Sequence, residues 1–241
     1  MSPPLSDQME GARRELTAYL SRLVLRPQVA DELVQTTFLR ALESVQHLPP
    51  SVEGVRAWLF RVATNLAIDE RRRHGNWRET LLHDLRDVAV ADPDYVARSR
   101  ALSGSPETRA IAREHVVTCI ACTLANLPEH RAAALLLKEV HGFTLTETAE
   151  LLGASAVQVK NWLQEARAHM DTHYGQTCAL LTKNGVCHQC TELDGFMAAH
   201  QGNPLNDDAS LDARLRIATE LRGQPWGPWH RMMFDLVDEL A

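Results

Sequence analysis

An all-α protein of two helical domains, joined by a flexible linker and followed by a helical C-terminal extension, is what this sequence of 241 residues predicts. Three observations carry that expectation. Apolar residues recur at three- and four-residue intervals almost throughout, and no run sustains the alternation of a half-buried strand. Pro, Gly and hydroxyl residues fall where such helices should start and stop. The boundaries that follow are a bundle over 8–80, a linker over 81–108, a second helical domain over 109–172 and an extension over 173–241.

In the bundle, Val34, Phe38, Leu42 and Val45 mark one buried face and Val55, Leu59, Val62 and Leu66 another. HLPPS, from His47 to Ser51, separates them, because paired prolines stop a helix and hold the chain extended. Arg61, Asn65, Ile68 and Arg72 are expected to point away from the core, with Arg61, Asn65 and Arg72 as candidate DNA contacts. The helix runs into Arg71, Arg72 and Arg73, a run that reads as a solvated end favouring the helix dipole. Residues 81–108 then mix acidic, small, Gly and Pro residues, a composition suited to a tether with one short helical turn.

The second domain opens with a helix whose apolar face holds Val116, Val117, Ile120, Leu124 and Leu127, with His115, Cys119 and Cys122 on the adjoining shoulder. Further on, Thr144 and Glu147 have the spacing of a capping box, in which hydroxyl and carboxylate satisfy each other's backbone donors. That helix, LTETAELL, ends at Gly153, and Ser155 with Gln158 offers a second cap of the same kind. Val159, Leu163, Ala166 and Met170 form the buried face of the helix that follows. Two short helices about a tight glycine turn make a helix-turn-helix. Lys160, Asn161 and Gln164 project opposite the buried face, with Ser155 and Gln158 at its N-terminus. Lys suits phosphate or guanine, and Asn or Gln can pair with adenine through two hydrogen bonds. The alternative is an ordinary solvated face; double cap and turn together favour DNA.

Charge and composition narrow the function. A net charge of −6 argues against a protein that coats nucleic acid indiscriminately. The charge is uneven, however: 54–80 carries six Arg against Asp69, Glu70 and Glu79, whereas 191–241 carries four Arg against nine Asp and Glu. A basic stripe in a near-neutral body is compatible with sequence-specific or partner-assisted binding. Five cysteines are far too few for a disulfide scaffold and favour a reducing compartment. The longest apolar run, AAALLL at 132–137, is about a third of a bilayer span, so a cytoplasmic protein with no membrane partner is expected. No Gly-rich phosphate loop, G-x-S-x-G or H-E-x-x-H is present, and no enzyme is expected.

Three segments taken together, DELVQTTFLRAL at 31–42, AWLFRVATNLAIDERRR at 57–73 and LPEHRAAALLLKEVHGFTLTETAELLGASAVQVKNWLQEAR at 127–167, resemble the extracytoplasmic-function (ECF) group of bacterial RNA polymerase sigma factors. The resemblance covers roughly 8–170. It implies that 8–80 is sigma region 2 and 109–172 sigma region 4, and that the partners are core RNA polymerase and promoter DNA with −10 and −35 elements. An anti-sigma factor is a further candidate partner. Asp31, Gln35 and Leu39 match the surface pressed against the polymerase clamp helices. Loop 45–54, with Arg61 and Asn65, matches the part that captures a flipped base of the −10 element, where the cost of unstacking must be offset. Trp58 is expected in the core. Region 155–167 matches the −35 reader, with the departure that Glu165 stands where a basic residue often lies.

The cysteines remain. Cys119 and Cys122 form one C-x-x-C pair and Cys187 and Cys190 another, and two such pairs are the usual way to offer four thiolates to Zn(II). Cys178 and His188 are alternate ligands. A thiol redox switch and simple packing are the competing readings. The resemblance adds that some ECF factors carry a cysteine-containing C-terminal extension. In the final segment Leu211, Leu215, Ala218 and Leu221 form a stripe, Pro225 and Pro228 break it, and Trp226 and Trp229 offer apolar surface. The extension is expected to pack on the protein's own domains and, being acidic, to mask the basic stripe. The rival to a sigma factor is a free-standing helix-turn-helix regulator that senses metal or redox state.

Overall fold

The computed structural model describes residues 3–74, 91–94, 96–97, 108–177, 204–205, 208–228, 230–232 and 234. Every regular element among them is helical. The chain runs through α1 (Leu5–Val24), α2 (Pro27–Glu43), a single 3₁₀ turn (Val45–His47) and α3 (Val52–His74). It continues with α4 (Thr108–Ala125), α5 (Glu129–Leu135, prolonged by a π turn at Leu136–Val140), α6 (Leu145–Leu152), α7 (Ala156–Thr177) and α8 (Leu211–Glu220).

The first three helices pack against one another. Leu16, Leu20 and Leu23 of α1 join Ala30, Val34 and Phe38 of α2 and Val55, Leu59 and Ala63 of α3 in an apolar core. Pro27 starts α2, where its missing N–H costs nothing and its fixed φ is already helical. Ser51 Oγ accepts the Gly54 N–H at 3.0 Å at the head of α3. Two expected core positions are instead exposed: Leu42 by 55 % and Val45 by 54 %. Ala41 takes the contact that Leu42 was expected to make, and α2 ends at Glu43, so Val45 leaves the helical register.

The buried surface of α3 is wider than one stripe. Val55, Leu59, Ala63 and Ala67 face the first bundle, while Phe60, Thr64, Ile68 and Arg71 are also buried, leaving Val62 and Leu66 at the edges. The reason is tertiary. α3 also packs on α5 and α6, and α1 on α4, so residues of both halves form one continuous core rather than two separate ones. Ile68, expected outside, is therefore inside. Of the linker, 91–94 and 96–97 are described, with the Val96 N–H donating to the Asp92 carbonyl at 3.1 Å in a helical turn.

Buried polar groups mark the seam between the halves. Arg71, expected in solvent, donates through Nη2 to the Ala125 carbonyl at 3.1 Å and the Leu127 carbonyl at 2.7 Å, filling the acceptor groups left open at the end of α4. Burial pulls its guanidinium down to about 10. Arg56 grips Glu15 through Nη2 at 2.7 Å and Nε at 3.1 Å and donates to the His141 carbonyl at 2.9 Å. His141 Nδ1 lies 3.0 Å from Glu15 Oε1. Burial, together with Arg22 and Arg56, pushes His141 down to about 4 against the opposing pull of Glu15. Burial alone would raise Glu15, but hydrogen bonds from His141 and Arg56 hold it at about 2. Phe60 and Phe143 close the seam edge-on, with ring centroids 5.1 Å apart.

Candidate nucleic-acid interface

The helix-turn-helix is built as its residue types require. Thr144 Oγ1 accepts the Glu147 N–H at 3.2 Å, and Glu147 Oε2 accepts the Thr144 N–H at 2.7 Å. Gly153 ends α6 at φ 60°, a left-handed conformation that costs a side-chain-bearing residue about 1 kcal/mol or more. One residue separates it from the second reciprocal cap: Ser155 Oγ accepts from the Gln158 N–H at 3.2 Å and Gln158 Oε1 from the Ser155 N–H at 2.9 Å. Behind α7, Val159, Leu163, Ala166 and Met170 are buried. Their burial against α5 and α6 fixes which face looks outward.

That outward face carries Lys160, Asn161 and Gln164, all exposed. Ser155 and Gln158 are exposed too, but each serves the other as a cap. Gln158 therefore keeps its oxygen committed to the cap and leaves its amide NH₂ on the exposed face. Sequence reasoning missed two members of this surface. Val157, 69 % exposed on the first turn, suits the methyl group of a thymine. Arg131 of α5 pairs with Glu165 at 2.7 Å, so the carboxylate that departs from the usual pattern carries its own counter-ion.

On α3, Arg61 and Asn65 are exposed on one side, next to the 45–54 loop in sequence. Arg72 is exposed as well, yet its Nε donates to Glu129 at the start of α5 at 2.8 Å. The structure thus turns one candidate DNA contact toward the protein's other half. Trp58 is half-buried against the core. On α2, Asp31, Gln35 and Leu39 are exposed along one line, and Leu42 and Val45 extend it into an apolar strip.

A match to the description "Sigma-70 region 2" spans residues 9–77, and one to "Sigma-70, region 4" spans 118–170. The chain belongs to the sigma-70 family, in its ECF group. The sigma factor is 32 % identical to the ECF RNA polymerase sigma factor SigG of Mycobacterium tuberculosis, over 69 % of this chain and 48 % of that one. It is 26 % identical to the ECF RNA polymerase sigma factor EcfG of Rhodopseudomonas palustris, over 70 % of this chain and 84 % of the relative. Against the RNA polymerase sigma factor SigZ of Bacillus subtilis identity is 26 %, over 76 % and 89 %. The sigma factor spans about half the length of SigG and most of EcfG and SigZ.

Two of the four candidate metal ligands lie among the described residues. Cys119, half-buried, and Cys122, buried, sit on α4 one turn apart, while Cys178, Cys187, His188 and Cys190 lie outside the described residues. Among the described residues no three His, Cys, Asp or Glu side chains group closely enough to hold a metal. The same side of α4 does receive the extension. His115, one turn before Cys119, stacks on His230 at 5.6 Å, and His230 Nδ1 lies 2.8 Å from Glu114 Oε1. Sequence reasoning had not paired His115 with a residue so distant. No described helix is long and apolar enough to cross a membrane.

Proposed function

We propose that this sigma factor binds core RNA polymerase and directs promoter-specific initiation, with region 2 engaging the −10 element and the helix-turn-helix the −35 element. One observation carries the reading: a reader helix capped by Ser155 and Gln158, which leaves Lys160, Asn161 and Gln164 exposed, stands in the same chain as the exposed line Asp31, Gln35 and Leu39. Lys160 supplies a phosphate or guanine contact and Asn161 and Gln164 read base edges. Arg61, Asn65 and the 45–54 loop receive an extruded base of the −10 element, offsetting a few kcal/mol of lost stacking. The α2 line docks on polymerase, which supplies the nonspecific affinity that a chain of net charge −6 lacks. Transcription in vitro with purified core polymerase and genomic fragments tests this. Promoter-specific transcripts are expected, and failure of the chain to co-migrate with core enzyme sinks it in favour of the free-standing regulator.

The extension also holds one Zn(II), through Cys119, Cys122, Cys187 and Cys190. What supports this is the common side of α4 shared by His115, Cys119 and Cys122, to which the extension is already brought at His230. Thiolates at a tetrahedral zinc would tie the extension to region 4. Metal analysis of the full chain and of a Cys187→Ser/Cys190→Ser variant decides it: equal metal in both removes the site.

A further inference from the structure

The described part of the extension does not cover the candidate DNA contacts: Arg61, Asn65, Lys160, Asn161 and Gln164 all remain exposed. It bridges the two halves instead. α8 lies against α4, α7 and the π turn after α5, with Leu211, Leu215, Ile217 and Ala218 buried. Thr219 Oγ1 donates to the Glu139 carbonyl at 3.0 Å, Asp212 pairs with Arg167 and Glu220 with Arg113. The chain then crosses to region 2. There Arg22 of α1, almost wholly buried, donates to the carbonyls of Leu221 at 2.6 Å, Arg222 at 3.2 Å and Gln224 at 3.2 Å, with the buried Trp226 ring 5.8 Å from its guanidinium carbon.

We propose that α8 and the residues after it, 221–226, are an intramolecular clamp that holds regions 2 and 4 in a closed arrangement able to engage only one promoter element at a time, and that its release from α1 opens the sigma factor. This rests on the promoter reading above. Two physical arguments support it. Elements centred near −35 and −10 lie about 25 base pairs apart, roughly 85 Å of duplex at about 3.4 Å per pair. A compact chain of this length is only about 45 Å across. Both elements can be held at once only if the halves separate, and the roughly 30 residues between α3 and α4 can extend about 100 Å. The second argument is electrostatic. A buried guanidinium must be paired, and the hydrogen-bond acceptors for Arg22 are the three carbonyls just beyond α8. With the extension gone, the charge must take up water, and the seam beside α1 is wetted. The closed state already diverts Arg72 to Glu129, an ion pair that opening would break.

The test places two spectroscopic labels, carried by unnatural amino acids so that the cysteines are untouched, at the exposed positions Arg14 and Ala168 of the full chain. Distances are then compared among the parent, an Arg22→Met/Trp226→Ala variant and an Asp212→Arg/Glu220→Arg variant whose changes lie on exposed side chains. The parent should give one short distance. Both variants, with helical content unchanged, should gain a population about twofold longer, and with core polymerase should make several-fold more promoter-specific transcript. Parent-like distances in the charge-reversed variant overturn the clamp, because regions 2 and 4 would then hold each other unaided. The distance readout needs neither polymerase nor DNA. Opening without any promoter-specific transcript would therefore fault the promoter reading and leave the clamp standing.

Discussion

Replacing His141 by Gln should flatten the acid sensitivity of the seam between regions 2 and 4. The imidazole is fully buried between Glu15 of α1, Arg56 of α3, Arg22 of α1 and the chain after α8, where Arg222 Nε lies 3.7 Å from Glu15. It ionises near 4 in the folded protein, against about 6.5 in an unfolded chain. Because the folded value is depressed, the unfolded state binds the proton more readily, so stability is full above about 6.5 and is lost as pH falls toward 4. At about 1.4 kcal/mol per pH unit, that interval is worth about 3 kcal/mol. Glu15, held at about 2, adds a loss of the same sign only below its ordinary value of 4.5. The two windows scarcely overlap. Urea unfolding followed by circular dichroism at pH 7, 5.5 and 4.5 should show the parent losing more than His141→Gln, by about 2 to 3 kcal/mol. Parallel pH profiles in the two proteins would show that His141 is not held neutral by the seam.

Three further outcomes follow from the site. Leu163→Ala, which empties the packing behind the reader helix, should lower stability by about 2 to 5 kcal/mol in thermal or urea unfolding. Asn161→Ala should leave unfolding unchanged and weaken binding of the polymerase complex to its promoter by about 10- to 100-fold, an effect concentrated at one −35 base pair. Leu39→Asp, at a side chain 60 % exposed, should shift stability by no more than about 0.5 kcal/mol yet reduce core polymerase binding in a pull-down or by interferometry.

The helix-turn-helix was readable from sequence because its determinants are local. A cap four residues long, a glycine at a left-handed turn and an apolar 3–4 spacing specify the geometry within about 25 residues, whatever else the chain does. Asp31, Gln35 and Leu39 were singled out by the resemblance to ECF sigma factors, not by local spacing. Apolar spacing alone failed at Leu42, Val45, Ile68 and Arg71, where burial depends on which other helix arrives. Periodicity tells how many faces a helix could bury but not which neighbour chooses among them. Gln158 was half-legible: its capping role and its exposure both follow from spacing, but the competition between them shows only in the folded structure.

By itself, then, the sequence determined the helical class, the capped reader helix and the resemblance to ECF sigma factors, since each depends on neighbours a few residues away. Only the tertiary structure decided that regions 2 and 4 share one core, that Arg71 and Arg22 are buried as caps on distant helix ends, and that the described part of the extension bridges the halves while leaving the candidate DNA contacts exposed. Those outcomes depend on desolvating charges against partners tens to hundreds of residues away, and such pairings leave no periodic trace in the chain.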